Sequence, residues 1–179
     1  ITPEERDAET LLAEDMEIDK SVDGPQILIY HTHSQEGFVD SVPGDNSTTI
    51  VGAGELLTQY LTERGYQVLH VTSVYDLIDG KLDRNEAYSL AQKEISGILE
   101  TYPSIQSVID LHRDAIASDS PAATVSVGGK TCAKYSYVVS NAVETYRSNL
   151  KFIQALNRTA EKSCSGFTGR ILERGYRYN

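Results

Sequence analysis

The chain has 179 residues, near the size of one ordinary domain and too few for two comfortable ones. Hydrophobic residues at 40 % and charged residues at 23 % match a globular composition, which excludes disorder throughout. A net charge of -10 lacks the basic stripe a nucleic-acid binder needs for phosphates, and no apolar run approaches the ~20 residues that cross a bilayer.

Residues 1–24 are acidic with scattered apolar positions, and are expected to form a linker or loosely docked arm. Leu11, Leu12 and Ile18 offer at most a short surface helix before Gly24-Pro25 breaks the pattern. No signal pattern precedes them, and Ile1 is read as a cut end rather than a natural start. The next segment, 25–179, is expected to hold the fold. Gln26 to Tyr30 is a short continuous apolar run, suited to a strand buried on both faces of a parallel sheet. A helix is expected from about Ser47 to Arg64, capped by Ser47, Asn46 or Asp45 and stopped at Gly65. A strand at 67–71, a helix from about Asn85 to Thr101 and a strand at 107–111 follow.

Beyond these, segments 123–127 and 134–139 flank Gly128-Gly129, which reads as a hairpin. A helix from about Tyr146 to Lys162 and a further strand at 169–173 complete the chain. Strand–helix alternation with a hairpin predicts an α/β, three-layer domain with a mostly parallel central sheet and helices on both faces. Cys132 and Cys164 are too few for a disulfide framework or a cysteine-based zinc site.

In open α/β sheets, ligands gather at the carboxyl ends of the strands. The first strand runs straight into His31-Thr32-His33-Ser34-Gln35-Glu36, and the third into His112-Arg113-Asp114. Neighbouring parallel strands would bring these distant segments together. His33, Glu36 and His112 then supply two imidazoles and a carboxylate, the donor set of a catalytic Zn2+ with one position left open. His31, two residues before His33 and on the same side of the strand, is an alternative ligand, a hydrogen-bonding support, or a substrate contact. Arg113 is a candidate for a substrate carboxylate or a developing oxyanion, and Asp114 for orienting a ligand histidine. His70, inside a predicted strand, is given no role.

The segments YHTHSQEGF (30–38) and SVIDLHRDA (107–115) resemble the stage II sporulation protein P family, with similarity over nearly everything after residue 25. That resemblance implies a zinc amidase/carboxypeptidase-like fold. It also implies an N-acetylmuramoyl-L-alanine amidase that acts on peptidoglycan, with associated endopeptidase activity on cross-links, during engulfment in sporulation. It implies further a partner, stage II sporulation protein D, and an N-terminal membrane anchor that places the protein outside the cytoplasm at the sporulation septum. The family's catalytic glutamate precedes a Gly-Gly pair; it is expected beyond Asn179, and Glu173, in a different context, is not given that role. Zinc carboxypeptidase activity and a non-catalytic wall-binding module are the rival expectations. The charge of -10 gives no bulk attraction to an anionic wall, so binding is expected from the cleft and the tether.

Overall fold

The computed structural model describes residues 16–114 and 121–175. Contacts divide the chain into two compact units, 18–115 in one and 1–17 with 116–179 in the other.

The 18–115 unit is built on a parallel sheet of three strands, β1 (Ile27–Tyr30), β2 (Val68–His70) and β5 (Ser107–Asp110), in the order β2-β1-β5. β1 is central because its residues tolerate burial on both faces: Ile27, Leu28 and Ile29 are all buried. Ile29 pairs with His70 on one side and with Ile109 on the other, and Tyr30 pairs with Asp110. The two outer strands therefore end level with β1, where its polar continuation begins.

Helix α1 (Ile50–Glu63) starts later than the spacing predicts. Asp45 caps a separate 3-10 turn, Asn46–Thr48, by accepting from the Ser47 backbone N–H. Thr49, in extended conformation, then caps α1 through the Val51 N–H. Helix α2 (Ala87–Thr101) buries Ala87, Ala91 and Ile95. Ile95 joins Leu28 and Val71 in one cluster, and Ala87 and Ala91 join Tyr75 in a second; Tyr30 packs against both. Each fully buried aliphatic chain of this kind contributes about 1.5–3 kcal/mol. Residues at 27, 29 and 31 point to the opposite side from Leu28 and Tyr30, and there Gly54 of α1 lies against the His31 ring.

Between β2 and α2 lies a two-stranded hairpin absent from the sequence expectations, β3 (Leu77–Ile78) with β4 (Lys81–Leu82). Its turn residues Asp79 and Gly80 both have positive φ, 50° and 75°, as a type I′ turn requires. The described part of the N-terminal arm is docked away from this hairpin, against the segments that lead into β2 and β5. Asp19 and Gln106 exchange two hydrogen bonds, and Lys20 lies over the Tyr66 ring while donating to the Arg64 carbonyl. The proposed helix around Leu11 and Leu12 lies outside the described residues.

In the 121–175 segment, β6 (Thr124–Val127) and β7 (Lys130–Ala133) form the hairpin at Gly128-Gly129. This corrects the expected pairing of 123–127 with 134–139. A two-residue turn brings the immediately following residues back, and the polar Lys130–Ala133 carries no apolar pattern to mark it as a strand. The apolar β8 (Tyr135–Ser140) instead pairs in parallel with β9 (Thr168–Arg174), joined through helix α3 (Tyr146–Ser163). Leu150 of α3 and Val139 of β8 are buried in this unit. Glu161 near the end of α3 accepts hydrogen bonds from the Gly166 and Thr168 backbone N–H groups and the Thr168 hydroxyl. Cys132 and Cys164 are both free thiols. The expected α/β class holds in its broad form: mixed α/β with small parallel and antiparallel sheets.

Candidate functional site

The polar continuation of β1 is buried almost completely. His31, Thr32 and Ser34 have no more than 1 % exposure, and His33 and Glu36 are also buried. Such a run survives only if its polar groups are satisfied, and the partners come from the ends of neighbouring strands. Thr32 donates its backbone N–H and its hydroxyl to the two oxygens of Asp110, the last residue of β5. His31 Nδ1 lies 2.9 Å from the Leu111 carbonyl. Buried Asp76, just before β3, accepts from the Ser34 hydroxyl and the Gln35 N–H. The Glu36 carbonyl accepts from Ile50 N–H at the start of α1, so the turn from His33 to Glu36 is fixed at both ends.

This stitching brings His33, Glu36 and His112 into one neighbourhood. The His33 and His112 rings meet edge to face, 5.3 Å between centroids. His112 Nδ1 is 3.5 Å from Glu36 Oε2, while its Nε2 is 3.0 Å from Asp110 Oδ2. Two ligand atoms on a tetrahedral zinc, each ~2.0–2.2 Å from the metal, stand about 3.3 Å apart. The His112–Glu36 separation fits that requirement, and Asp110 on the far nitrogen supplies the carboxylate–histidine support of zinc sites. His33 Nδ1 is buried with no hydrogen-bond partner, a lone donor position beside the pair. Even so, among the described residues no three His, Cys, Asp or Glu side chains stand together as a finished metal cage. The donor chemistry fits a zinc ion, with two donors spaced for it and the third ring alongside.

Electrostatics follow from this packing. Burial alone would lower the His112 pKa, but its hydrogen bonds and charge attraction to Asp110 and Glu36 outweigh that and push it up to about 10. Burial would raise Glu36, yet His112 and the Arg113 N–H hold it below the ordinary carboxylate range. Burial and the neighbouring His112 charge lower His33. Without metal, the site at neutral pH is therefore a neutral imidazole, a carboxylate and an imidazolium. A cation that takes His112 Nδ1 must displace its proton.

Arg113 donates its backbone N–H to Glu36 Oε2 at 2.6 Å and its Nε to the Gly37 carbonyl. Asp114 is exposed, and the carboxylate that orients His112 is Asp110. Its signal in the sequence was the Asp-x-His spacing, which puts residues 110 and 112 on one side of a strand. Arg84 was also missed: from the segment between β4 and α2 it places Nη1 4.0 Å from Glu36 Oε1, with its side chain half exposed. Nothing in its local sequence marks it. His70, at the end of β2, bonds His31 across β1. Glu173 lies on β9, where it accepts from the Tyr146 hydroxyl.

A family model described as stage II sporulation protein P matches residues 2–179. The chain belongs to that family. It is 23 % identical over 159 residues to stage II sporulation protein P of Bacillus subtilis (strain 168), an alignment covering 83 % of this chain and 39 % of that protein. The chain thus spans well under half the length of this curated relative. No solved structure matches it. Family membership gives a sporulation-related role, and among the described residues no helix is long and apolar enough to cross a membrane.

Proposed function

We propose that this chain is the catalytic part of a zinc-dependent peptidoglycan hydrolase with an amidase-like fold. On this reading it cleaves the amide between the lactyl group of muramic acid and L-alanine while the septal wall is remodelled in sporulation. The observation that carries the proposal is the meeting of His33, Glu36 and His112 at the ends of β1 and β5, with Asp110 behind His112. His33, Glu36 and His112 would hold the metal. Bound zinc supplies a Lewis acid that polarises the scissile carbonyl and lowers the pKa of water toward ~7.

The protein's own groups do the rest. Asp110 accepts from His112 Nε2 and so keeps Nδ1 turned toward Glu36. The Arg113 N–H holds Glu36 Oε2 in place. Arg84 adds positive charge beside Glu36, where negative charge develops on the substrate oxygen. No described residue is assigned as general base. Action on peptidoglycan outside the cytoplasm, through a membrane anchor and beside stage II sporulation protein D, belongs to the same proposal.

Arg84 also favours a second reading. A half-exposed guanidinium beside the metal ligands is what a zinc carboxypeptidase uses to hold a free terminal carboxylate. Incubating the full-length protein with zinc and purified sacculi separates the two. New lactyl ends and free stem peptides support the amidase; stems shortened by one residue support the carboxypeptidase. Intact sacculi with stoichiometric zinc bound would overturn both.

A further inference from the structure

Behind the His33–Glu36–His112 group lies a row of polar side chains that the proposed chemistry does not use, with the His31 and His70 rings buried and Glu55 exposed at its outer end. His31 Nε2 is 2.9 Å from His70 Nε2, and His70 Nδ1 is 3.3 Å from Glu55 Oε2. Hydrogen positions along this row follow from what each partner can do. The Leu111 carbonyl only accepts, so His31 Nδ1 carries a hydrogen and donates it. The neutral His31 ring then has an acceptor at Nε2, and the hydrogen in the contact with His70 belongs to His70.

The far end of this row is the peptide that joins Leu111 to His112. The Leu111 N–H donates to the Tyr30 carbonyl, and the Leu111 carbonyl takes its hydrogen from His31. Side-chain bonding thus extends the β1–β5 ladder by one rung, immediately before the residue whose Nδ1 faces Glu36. Space for the two rings is made by Gly54, where a Cβ would stand 2.6 Å from His31 Nε2 and 2.7 Å from His70 Nε2. Removing the His70 donor would leave a lone pair of His31 buried and unmatched. The ring relieves that by turning, which releases the Leu111 carbonyl.

We propose that His70 is a positioning residue that acts through His31 and the Leu111 carbonyl to fix where His112 stands relative to Glu36. The inference rests on reading His33, Glu36 and His112 as the metal-holding group. Two substitutions in the full chain test it. His70→Leu removes the donor, and His70→Gln replaces it with an amide N–H of similar reach. In metal-free protein the 15N signals of His31 should show hydrogen on Nδ1 and none on Nε2. The ring signals of His112 should move in His70→Leu and return in His70→Gln. Zinc affinity, measured against a competing chelator, should fall about 10–100-fold in His70→Leu and recover to within a few-fold in His70→Gln.

His112 signals unmoved in His70→Leu would overturn the inference. If that variant fails to fold, His70→Asn, whose amide is too short to reach His31, is compared with His70→Gln; equal His112 signals in those two overturn it as well. A wild-type chain that binds no zinc overturns the metal reading alone, since the His112 signals test the positioning without metal.

Discussion

Asp110 grips His112 by the ring nitrogen that faces away from Glu36: the Oδ2–Nε2 distance is 3.0 Å, and the opposite nitrogen is the one turned toward the Glu36 carboxylate. The same Asp110 takes two hydrogen bonds from Thr32. One carboxylate thereby joins the ends of two strands and orients a site histidine. Asp110→Ala should weaken zinc binding about 10–100-fold. It should also cost about 1–3 kcal/mol in urea unfolding, because the buried Thr32 donors lose their acceptor. Unchanged affinity would place Asp110 in a purely structural role.

His112→Ala and Glu36→Gln test the donor set itself. Each should abolish stoichiometric zinc in the purified chain and, in the full-length protein, turnover of peptidoglycan. Glu36→Gln keeps an oxygen for the Arg113 N–H, so its far-UV spectrum should match the wild type. A variant that retains full zinc content excludes its residue from the metal.

Two helical glycines make opposite predictions. A Cβ at Gly97 of α2 meets nothing within 4 Å, so Gly97→Ala should stabilise the chain by up to about 1 kcal/mol through helix propensity. A Cβ at Gly54 of α1 collides with both His31 and His70. Gly54→Ala should therefore destabilise by about 1–3 kcal/mol despite the same propensity gain. Denaturant midpoints for the two variants should move in opposite directions.

The fourth test concerns acid stability. Glu161 is held below the ordinary glutamate range first by the Gly166 N–H and then by the Thr168 hydroxyl and N–H, all of which donate to its ionised form. A lowered folded pKa means the contribution is complete above the unfolded value and disappears as pH falls through the folded one. Glu161→Gln should reduce stability at neutral pH and leave it nearly unchanged where the wild-type carboxyl is protonated. Parallel denaturation curves across that range would show that the clasp at Gly166 carries no linkage.

Much of the site was legible because strand ends in a parallel sheet obey a strong rule. His33, Glu36 and His112 were identified from their places after β1 and β5, and the β1–β5 register sets those ends side by side. The buried character of β1 was equally plain from its apolar run. What could not be read were contacts between segments with no shared local pattern. Arg84 reaches Glu36 from across the unit, and His70 looks like an ordinary strand residue until β2 pairs with β1. The β3–β4 hairpin was missed although its Asp79-Gly80 turn signal was present, since two-residue strands have too little periodicity to stand out. The apolar 134–139 segment drew attention from the polar β7, which the short turn actually favours.

Joining β1 to β5 by their polar tails also sets an order of events. Thr32 finds its partner only at Asp110, and His31 Nδ1 only at the Leu111 carbonyl, after both helices of the unit have been made. Closing so long a span has to precede any reward from those bonds, so this pairing should come late and slowly relative to helix formation. As the chain is synthesised, its first strand waits with one edge and an unmet row of donors until residue 112 emerges. The grouping of His33, Glu36 and His112 therefore cannot exist in any partially made form that stops short of the end of β5.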